Sequence, residues 1–338
     1  MSNDANATSK SLVQNLTGRR VLITGGLGFI GSNLAHRCLE LGAKVAIYDC
    51  LDPKSGGNMH NMEGIADDVQ VIINDVRNFE ALCTAMLNQD IVFNCAAFTS
   101  HPNSMREPLI DIDVNCKGAI NLLEAARRFN PDVKLVHVGT STQIGRMQFP
   151  VIDETHPEFP VDIYSANKTA SEKYVLVYSN AYKIPATVVR LANVYGPRSN
   201  IKSPDFGFMN YFIGLALKDR ELTVFGDGAQ VRNVTFVGDV VDALMRAANT
   251  DLSNGQVFFA ASEGQYTVKE IATSICEAIG GKATFIEWPS DRQAIEIGDA
   301  VISNKKASEI LQWHPQHNLM EGLKKTAEYF EPCLRYYI

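Results

Sequence analysis

The chain has 338 residues, 46% of them hydrophobic, which is enough for one large domain or two closely joined lobes. Its net charge of −7 offers no basic surface for nucleic acid or anionic lipid, and no apolar run reaches the ~18 residues that cross a bilayer. The 7 cysteines form no CxxC pair and the histidines have no ligand spacing, so we expect free thiols, a reducing cytoplasmic location and no metal. The polar residues 1–17 are expected to form a disordered tail.

Apolar runs with the length of strands alternate with helical stretches along the first half of the chain. Strands are predicted from Val21 onward and then at Lys44–Tyr48, Val69–Ile73, Ile91–Asn94, Lys134–Val138 and Ala186–Leu191. Helices are predicted between them at Ser32–Leu41, Phe79–Leu87, Pro108–Phe129 and Ala166–Tyr182. This alternation predicts an α/β fold with a doubly wound parallel sheet covered by helices on both faces.

The pattern becomes less regular after residue 197. The elements predicted there are a loop at Arg198–Phe206, helices at Met209–Lys218 and Asp239–Ala248, and, from Thr267 on, two helices with a strand at Thr284–Trp288. We therefore expect a first, Rossmann-type α/β domain over residues 18–197, to which residues 233–248 return. Residues 198–338 are expected to form a smaller α/β lobe that caps the ligand cleft.

A glycine-rich turn connects the first predicted strand to the first helix. Its three glycines are Gly25, Gly28 and Gly31. This order of strand, glycine turn and helix predicts a dinucleotide site, because the helix N-terminus, which includes Phe29 and Ile30, offers free N–H groups to a pyrophosphate. Asp49 ends the second strand about 20 residues further on, where a carboxylate accepts from the adenine ribose 2′-OH and repels a 2′-phosphate. The segment therefore favours NAD over NADP.

Tyr164 and Lys168 stand four residues apart on one face of a predicted helix. A nearby ammonium stabilises a phenolate, so we expect Lys168 to lower the pKa of Tyr164 toward neutrality and to make the tyrosine a base. Such a pair can also be an ordinary surface pair on an amphipathic helix. The complete dinucleotide half that precedes it favours the catalytic interpretation.

These motifs give the chain a family resemblance from roughly Arg20 to Phe330. It resembles the extended short-chain dehydrogenases/reductases of the NAD-dependent epimerase/dehydratase family, the group typified by UDP-glucose 4-epimerase. The motifs that carry the resemblance are Thr24–Gly31, Asp49, Asp75-Val76, Asn94–Ala97, Asn115, Thr140–Thr142, Tyr164 with Lys168, Arg190–Pro197 and Gly226–Arg232. The resemblance implies a Rossmann-type fold, bound NAD, a nucleotide-sugar substrate, and a homodimer that packs Pro108–Phe129 and Ala166–Tyr182 into a four-helix bundle.

The resemblance also implies roles for individual residues. Thr140 is expected to share a proton network with Tyr164, and Lys168 to hold the nicotinamide ribose. Further cofactor-binding residues are expected at Asp75, Val76, Ala96, Ala97 and Asn115, the last of which supports the active-site helix. The expected substrate-binding residues are Thr99, Ser141, Thr142, Asn193, Thr223, Phe225, Arg232 and Arg292.

The implied reaction oxidises a sugar at C4, with Tyr164 taking the hydroxyl proton. The resulting 4-keto sugar has several possible fates: epimerisation, loss of water, or loss of CO₂. The resemblance would predict Thr-Asp-Glu in dehydratases and Thr-Ser-Glu in decarboxylases, whereas this chain has hydroxyls at Ser141 and Thr142. Because elimination then lacks a carboxylate acid–base, the sequence favours an epimerase acting at C4 of a UDP-hexose.

Several alternatives stay open at this point. The same site could belong to a nucleotide-sugar decarboxylase, dehydratase or C2-epimerase. A dehydrogenase of a non-nucleotide substrate, or an NAD-sensing binding protein without catalysis, is a more remote interpretation. His101 either orders the turn before Pro102 or touches the substrate as a proton relay.

Overall fold

The computed structural model describes residues 15–52, 55–294 and 296–338. Residues 1–14 of the predicted tail lie outside this range. Residues 15–17 of that tail belong instead to the folded unit, because Leu16 is buried and its N–H donates to the Leu41 carbonyl at 2.8 Å. The folded chain therefore begins before residue 18.

The strands and helices follow the predicted alternation. The strands are β1 (Arg20–Thr24), β2 (Lys44–Asp49), β3 (Val69–Ile73), β4 (Ile91–Asn94), β5 (Lys134–Thr140), β6 (Ala186–Leu191), β7 (Asn193–Tyr195), β8 (Glu221–Phe225), β9 (Val231–Phe236), β10 (Val257–Ala260), β11 (Gln265–Thr267) and β12 (Lys282–Ile286). The α-helices are α1 (Phe29–Glu40), α2 (Phe79–Met86), α3 (His101–Arg106), α4 (Pro108–Asp111), α5 (Gly118–Phe129), α6 (Ile163–Tyr182), α7 (Phe208–Ala216), α8 (Val237–Ala248), α9 (Val268–Ala278), α10 (Ser290–Ala294), α11 (Lys305–Leu311) and α12 (Leu319–Phe330).

Seven parallel strands form the large sheet, in the order β10-β6-β5-β4-β1-β2-β3. Alternate residues along each strand enter two different cores, as the pleat requires. In β1, Ile23 packs in the core that contains α1 and α8, whereas Leu22 packs in the core with α2, α5 and α6. Both faces are thus covered, and the α/β class and the Rossmann-type sheet predicted from the sequence are confirmed.

The smaller lobe contains two further sheets. In one, β8 pairs parallel with β12; in the other, β9 lies between β7 and β11. The predicted strand Thr284–Trp288 starts two residues too late, since β12 runs from Lys282 to Ile286 and Trp288 packs on Phe225 from the following loop. Among the described residues after 267 there are four α-helices where two were expected. The segment that returns to the large sheet is also longer than 233–248, because β10 pairs with β6.

Two predicted elements near the cleft differ in detail. The loop after β4 contains helix α3, whose N-terminus is capped by Ser100 Oγ, which accepts from Asn103 N at 3.2 Å. The predicted helix Pro108–Phe129 is interrupted by a π-helical turn, Ile112–Lys117. Among the described helices, none combines the length and apolar content needed to span a bilayer. All 7 cysteines are free thiols.

Candidate active site

The glycine turn after β1 leaves room for a phosphate group. Gly25 has φ +66°, and a Cβ there would lie 2.7 Å from Ala96 N, while a Cβ on Gly31 would lie 2.3 Å from Gly25 O. Only glycine fits at these two positions. Helix α1 begins after Gly28 with no side chain capping it, so its first N–H groups remain available to an anion.

Asp49 lies at the carboxyl end of β2 beside this turn. Its two carboxylate oxygens accept from the N–H groups of Leu27 (3.0 Å) and Leu51 (2.9 Å), and burial raises its pKa. Together with the glycine turn it borders a cavity of about 210 Å³. The predicted cofactor residues that line this cavity are Gly25, Gly28, Phe29, Ile30, Gly31, Asp49, Asp75, Val76, Ala96 and Ala97, and Thr99 lies at its border with the next cavity. The donor turn and the carboxylate fit the pyrophosphate and ribose of NAD.

Asn115 does not line this cavity, contrary to its expected place among the cofactor-binding residues. It lies in the π-helical turn, where its Nδ2 donates to Phe98 O (3.0 Å) and to Asp111 Oδ1 (2.8 Å), and its Oδ1 accepts from Phe98 N (3.1 Å). The amide therefore fixes the segment after β4. Asp111, which the sequence analysis did not single out, also accepts from Asn167 and connects this turn to α6.

The predicted catalytic residues meet in a second cavity of about 250 Å³ that borders the first. Tyr164 and Thr140 both line this cavity, and Lys168 Nζ donates to the Val138 carbonyl at 2.6 Å and lies 3.3 Å from His137 Nε2. Ser141, Thr99 and Asn193 line the same space. The strand β5 and the helix α6 hold these groups, so the arrangement follows from the packing of α6 on the sheet.

The expected lowering of the tyrosine pKa is wrong for these contacts. Burial raises the pKa of Tyr164, the carboxylates of Asp111 and Asp162 raise it further, and only the hydrogen bond to Thr140 acts in the opposite direction. Burial also lowers the pKa of Lys168 to about 8. The ammonium donates to the Val138 carbonyl, and burial is the largest influence on both groups.

A third cavity, of about 510 Å³, lies between the two lobes. It shares His101, Asn193 and Phe208 with the second cavity, so the three spaces form one cleft. The predicted substrate residues that line it are Thr142, Asn193, Thr223, Phe225, Arg232 and Arg292.

Acidic residues already engage both arginines. Arg232 Nη2 donates to Glu296 Oε1 at 2.6 Å, and its Nη1 donates to the carbonyls of Val231 and Gly298. Arg292 lies 3.9 Å from Asp205. Glu296 was not predicted from the sequence, because no local motif indicates a pairing across 64 positions.

His101 reaches the cleft from the start of α3. Its Nδ1 lies 2.7 Å from Asp162 Oδ2, and its ring meets the Tyr164 ring edge-on with centroids 4.8 Å apart. His101 thus contacts Tyr164 and Asp162 in addition to beginning helix α3.

The C-terminal segment reaches the opposite end of the cleft, beside the glycine turn. Asn61 Nδ2 donates to the Leu27 carbonyl of the glycine turn at 2.9 Å, and Asn61 Oδ1 accepts from Tyr337 OH. Tyr336 stacks on His60 with ring centroids 4.0 Å apart. We call residues 329–338 the C-terminal strap, because they hold this side of the cofactor cavity.

With this geometry described, comparison with known proteins identifies the class. The family model of the NAD dependent epimerase/dehydratase family matches residues 21–260, and the chain belongs to this family. NAD is therefore its cofactor.

Individual relatives cover almost the whole chain. The UDP-glucose 4-epimerase of Mycolicibacterium smegmatis is 33% identical over 92% of this chain and 98% of its own. The UDP-N-acetyl-alpha-D-glucosaminuronate decarboxylase of Bacillus cytotoxicus is 30% identical over 92% and 98%. The structure of Thermus thermophilus UDP-glucose 4-epimerase in complex with NAD is 30% identical, with a TM-score of 0.83 and coverage of 93% and 99%. The chain is thus similar, at about the same sequence identity, to enzymes that catalyse different reactions on nucleotide sugars.

Proposed function

We propose that this protein is an NAD-dependent nucleotide-sugar epimerase that acts at C4 of a UDP-hexose. The observation that carries the proposal is that Tyr164, Thr140 and Lys168 line one cavity, which joins the cavity of the glycine turn to the cavity lined by Arg232. A sugar that extends from a diphosphate near Arg232 toward the nicotinamide end has to pass the pair of Tyr164 and Thr140.

The residues around the pair support C4 chemistry. Tyr164 takes the proton of the sugar hydroxyl, and Thr140 donates to the oxygen as charge develops on it. Lys168 orients the cofactor ribose from the neighbouring turn of α6. NAD, when bound, supplies reversible hydride acceptance at the same carbon.

The neighbouring hydroxyls favour epimerisation over the other fates. Thr142 Oγ1 lies 3.0 Å from Thr140 Oγ1 and accepts from Ser165 Oγ at 2.9 Å, so its hydrogen bonds complete a chain of hydroxyls. Neither Ser141 nor Thr142 offers the carboxylate that a dehydratase or decarboxylase would use there. A C2-epimerase would differ only in the carbon presented to Tyr164.

We also propose that the protein is a homodimer in the cytoplasm. Apolar side chains on the two helical segments of the expected four-helix bundle face outward: Leu109 is 75% exposed, Ile112 43% and Val177 58%. A second copy packed on this face would cover them. Sedimentation at micromolar concentration tests the assembly, and a monomer would contradict it.

Proton NMR tests the reaction. The purified protein is incubated without added cofactor with UDP-, CDP-, GDP- and dTDP-sugars, including glucose, N-acetylglucosamine and glucuronate forms. An anomeric signal from an isomer of equal mass, at an equilibrium ratio, supports the epimerase and names the sugar. Loss of water or CO₂ would assign the protein to the dehydratases or decarboxylases instead.

A further inference from the structure

The loop after β4 places an imidazole where the two substrate-side cavities meet. His101 borders both the cavity of Tyr164 and the cavity of Arg232, and 33% of its side chain is exposed. A sugar held between those residues has to lie against this ring. Neither the C4 chemistry nor the binding of the diphosphate uses it.

Asp162 holds the imidazole in one orientation. One carboxylate oxygen caps α6 by accepting from Ser165 N at 2.8 Å, and the other lies 2.7 Å from His101 Nδ1. Burial by itself raises the pKa of Asp162, but the hydrogen bonds from His101 and Ser165 outweigh it and keep the pKa below its usual value. A carboxylate only accepts, so Nδ1 carries a proton, and in the neutral imidazole the lone pair is on Nε2.

The remaining nitrogen is available for chemistry. His101 Nε2 has no hydrogen-bond partner within the part of the chain that the structure describes. A buried carboxylate, an imidazole and an accessible Nε2 form the arrangement that serves as a general base in many enzymes. His101, oriented by Asp162, is therefore an acid–base group on the loop after β4. At residues 141 and 142 the sequence has only hydroxyls.

We propose that His101 is a catalytic acid–base that exchanges the proton on a carbon next to C4 of the sugar. The proposal rests on the proposed function, because oxidation of C4 to a ketone is what acidifies the neighbouring C–H bond. His101 Nε2 takes that proton, and the electron pair of the broken C–H bond passes to the C4 oxygen, giving an enolate. The hydroxyls of Thr140 and Tyr164 donate to this oxygen. Return of the proton from Nε2 restores the C–H bond and the ketone, and the proton reaches the opposite face only after the keto sugar has turned over in the site.

This step explains why the site combines a tyrosine for the hydroxyl with a separately oriented imidazole. An enzyme that only transfers hydride at C4 leaves every other carbon-bound hydrogen in place. Proton exchange beside C4 would allow inversion at a second carbon. It therefore widens the class of substrates and products that this active site serves.

Deuterium incorporation tests the proposal. The NAD-containing protein is incubated in D₂O with the UDP-hexose panel, and deuterium beside C4 is followed by NMR and mass spectrometry. His101→Gln should slow the incorporation by about 100-fold, while formation of the C4 epimer falls less than about tenfold. Asp162→Asn, whose amide oxygen can still cap α6, should also slow incorporation, because the imidazole loses its orienting carboxylate. His314 is exposed, so His314→Gln serves as the matched control and should incorporate deuterium at the wild-type rate. The NAD released on denaturation verifies that each variant is folded.

Each outcome separates this proposal from the proposed function. Incorporation that is present in the wild-type protein and the control, and lost in His101→Gln, supports it. A C4 epimer formed without deuterium, or incorporation that persists in His101→Gln, overturns it and leaves the epimerase proposal in place. Failure of every sugar to react would overturn both.

Discussion

Glu296 forms an ion pair with Arg232, whose guanidinium is expected to bind the substrate diphosphate. The side chains are 10% and 25% exposed for Arg232 and Glu296, and the N–O distance is 2.6 Å. Two unit charges about 4 Å apart attract by about 4 kcal/mol at an effective dielectric constant of about 20, and desolvation offsets part of this. A diphosphate must displace the carboxylate before it can use the full charge of Arg232.

We expect Glu296→Gln to tighten the binding of UDP about tenfold. A charge-assisted hydrogen bond contributes about 1.5–3 kcal/mol and a neutral one about 0.5–1.5 kcal/mol, so the amide competes less by about 1.4 kcal/mol, or tenfold in Kd. The amide oxygen can still accept from Gly298 N, as the carboxylate does at 3.0 Å, so the loop should keep its fold. Isothermal titration calorimetry with UDP measures the change.

Two controls keep this experiment interpretable. Glu287 is exposed and forms no ion pair with Arg232, so Glu287→Gln removes the same charge outside that pair and should change Kd less than about twofold. Arg232→Ala should abolish measurable binding. Equal or weaker UDP binding by Glu296→Gln would refute the reasoning, because the carboxylate would then not be a competitor of the diphosphate.

Further changes test the catalytic pair and the glycine turn. Tyr164→Phe should lower turnover by about 10³-fold and leave NAD bound, because it removes only the hydroxyl; NAD lost on purification would mean that the tyrosine has a structural role. Burial lowers the pKa of Lys168 from 10.5 to about 8, so the folded state binds fewer protons than the unfolded state between these pH values, and stability rises with pH there. Lys168→Met should therefore raise Tm at pH 7 and flatten that rise in calorimetry, whereas a lower Tm would show that the hydrogen bond to Val138 outweighs the cost of burial. Gly31→Ala should release NAD, because its Cβ would lie 2.3 Å from Gly25 O; an unchanged NAD content after purification would contradict this.

Hydrophobic periodicity was enough to predict the interior of the large sheet. The strands β1, β2, β4, β5 and β6 are mostly apolar and buried on both faces, whereas β3 lies at the edge of the sheet and is only partly buried. The run of β10, at Val257–Ala260, is short and follows a helix and a turn, and it was missed. The strand β12 was misplaced because Phe285 and Ile286 are apolar although 47% and 46% exposed, so burial does not mark where the strand ends.

The site residues likewise differ in whether their partners are close or distant in the sequence. Residues within short motifs, such as Gly25 and Tyr164, were predicted from spacing alone. Pairings between distant segments were not: His101 and Asp162 are 61 positions apart, and no periodicity connects them. One signal was visible and unused, namely the polar His137 within the apolar run of β5, which the structure places beside Lys168.

The C-terminal strap is connected to the glycine turn through one asparagine. Tyr337 contacts Asn61, and Asn61 holds the carbonyl of Leu27 in the glycine turn. Because a ligand that orders the glycine turn also steadies its neighbours, NAD should slow the removal of the last residues by carboxypeptidase. The rate of this trimming would then report cofactor occupancy before any sugar substrate is known.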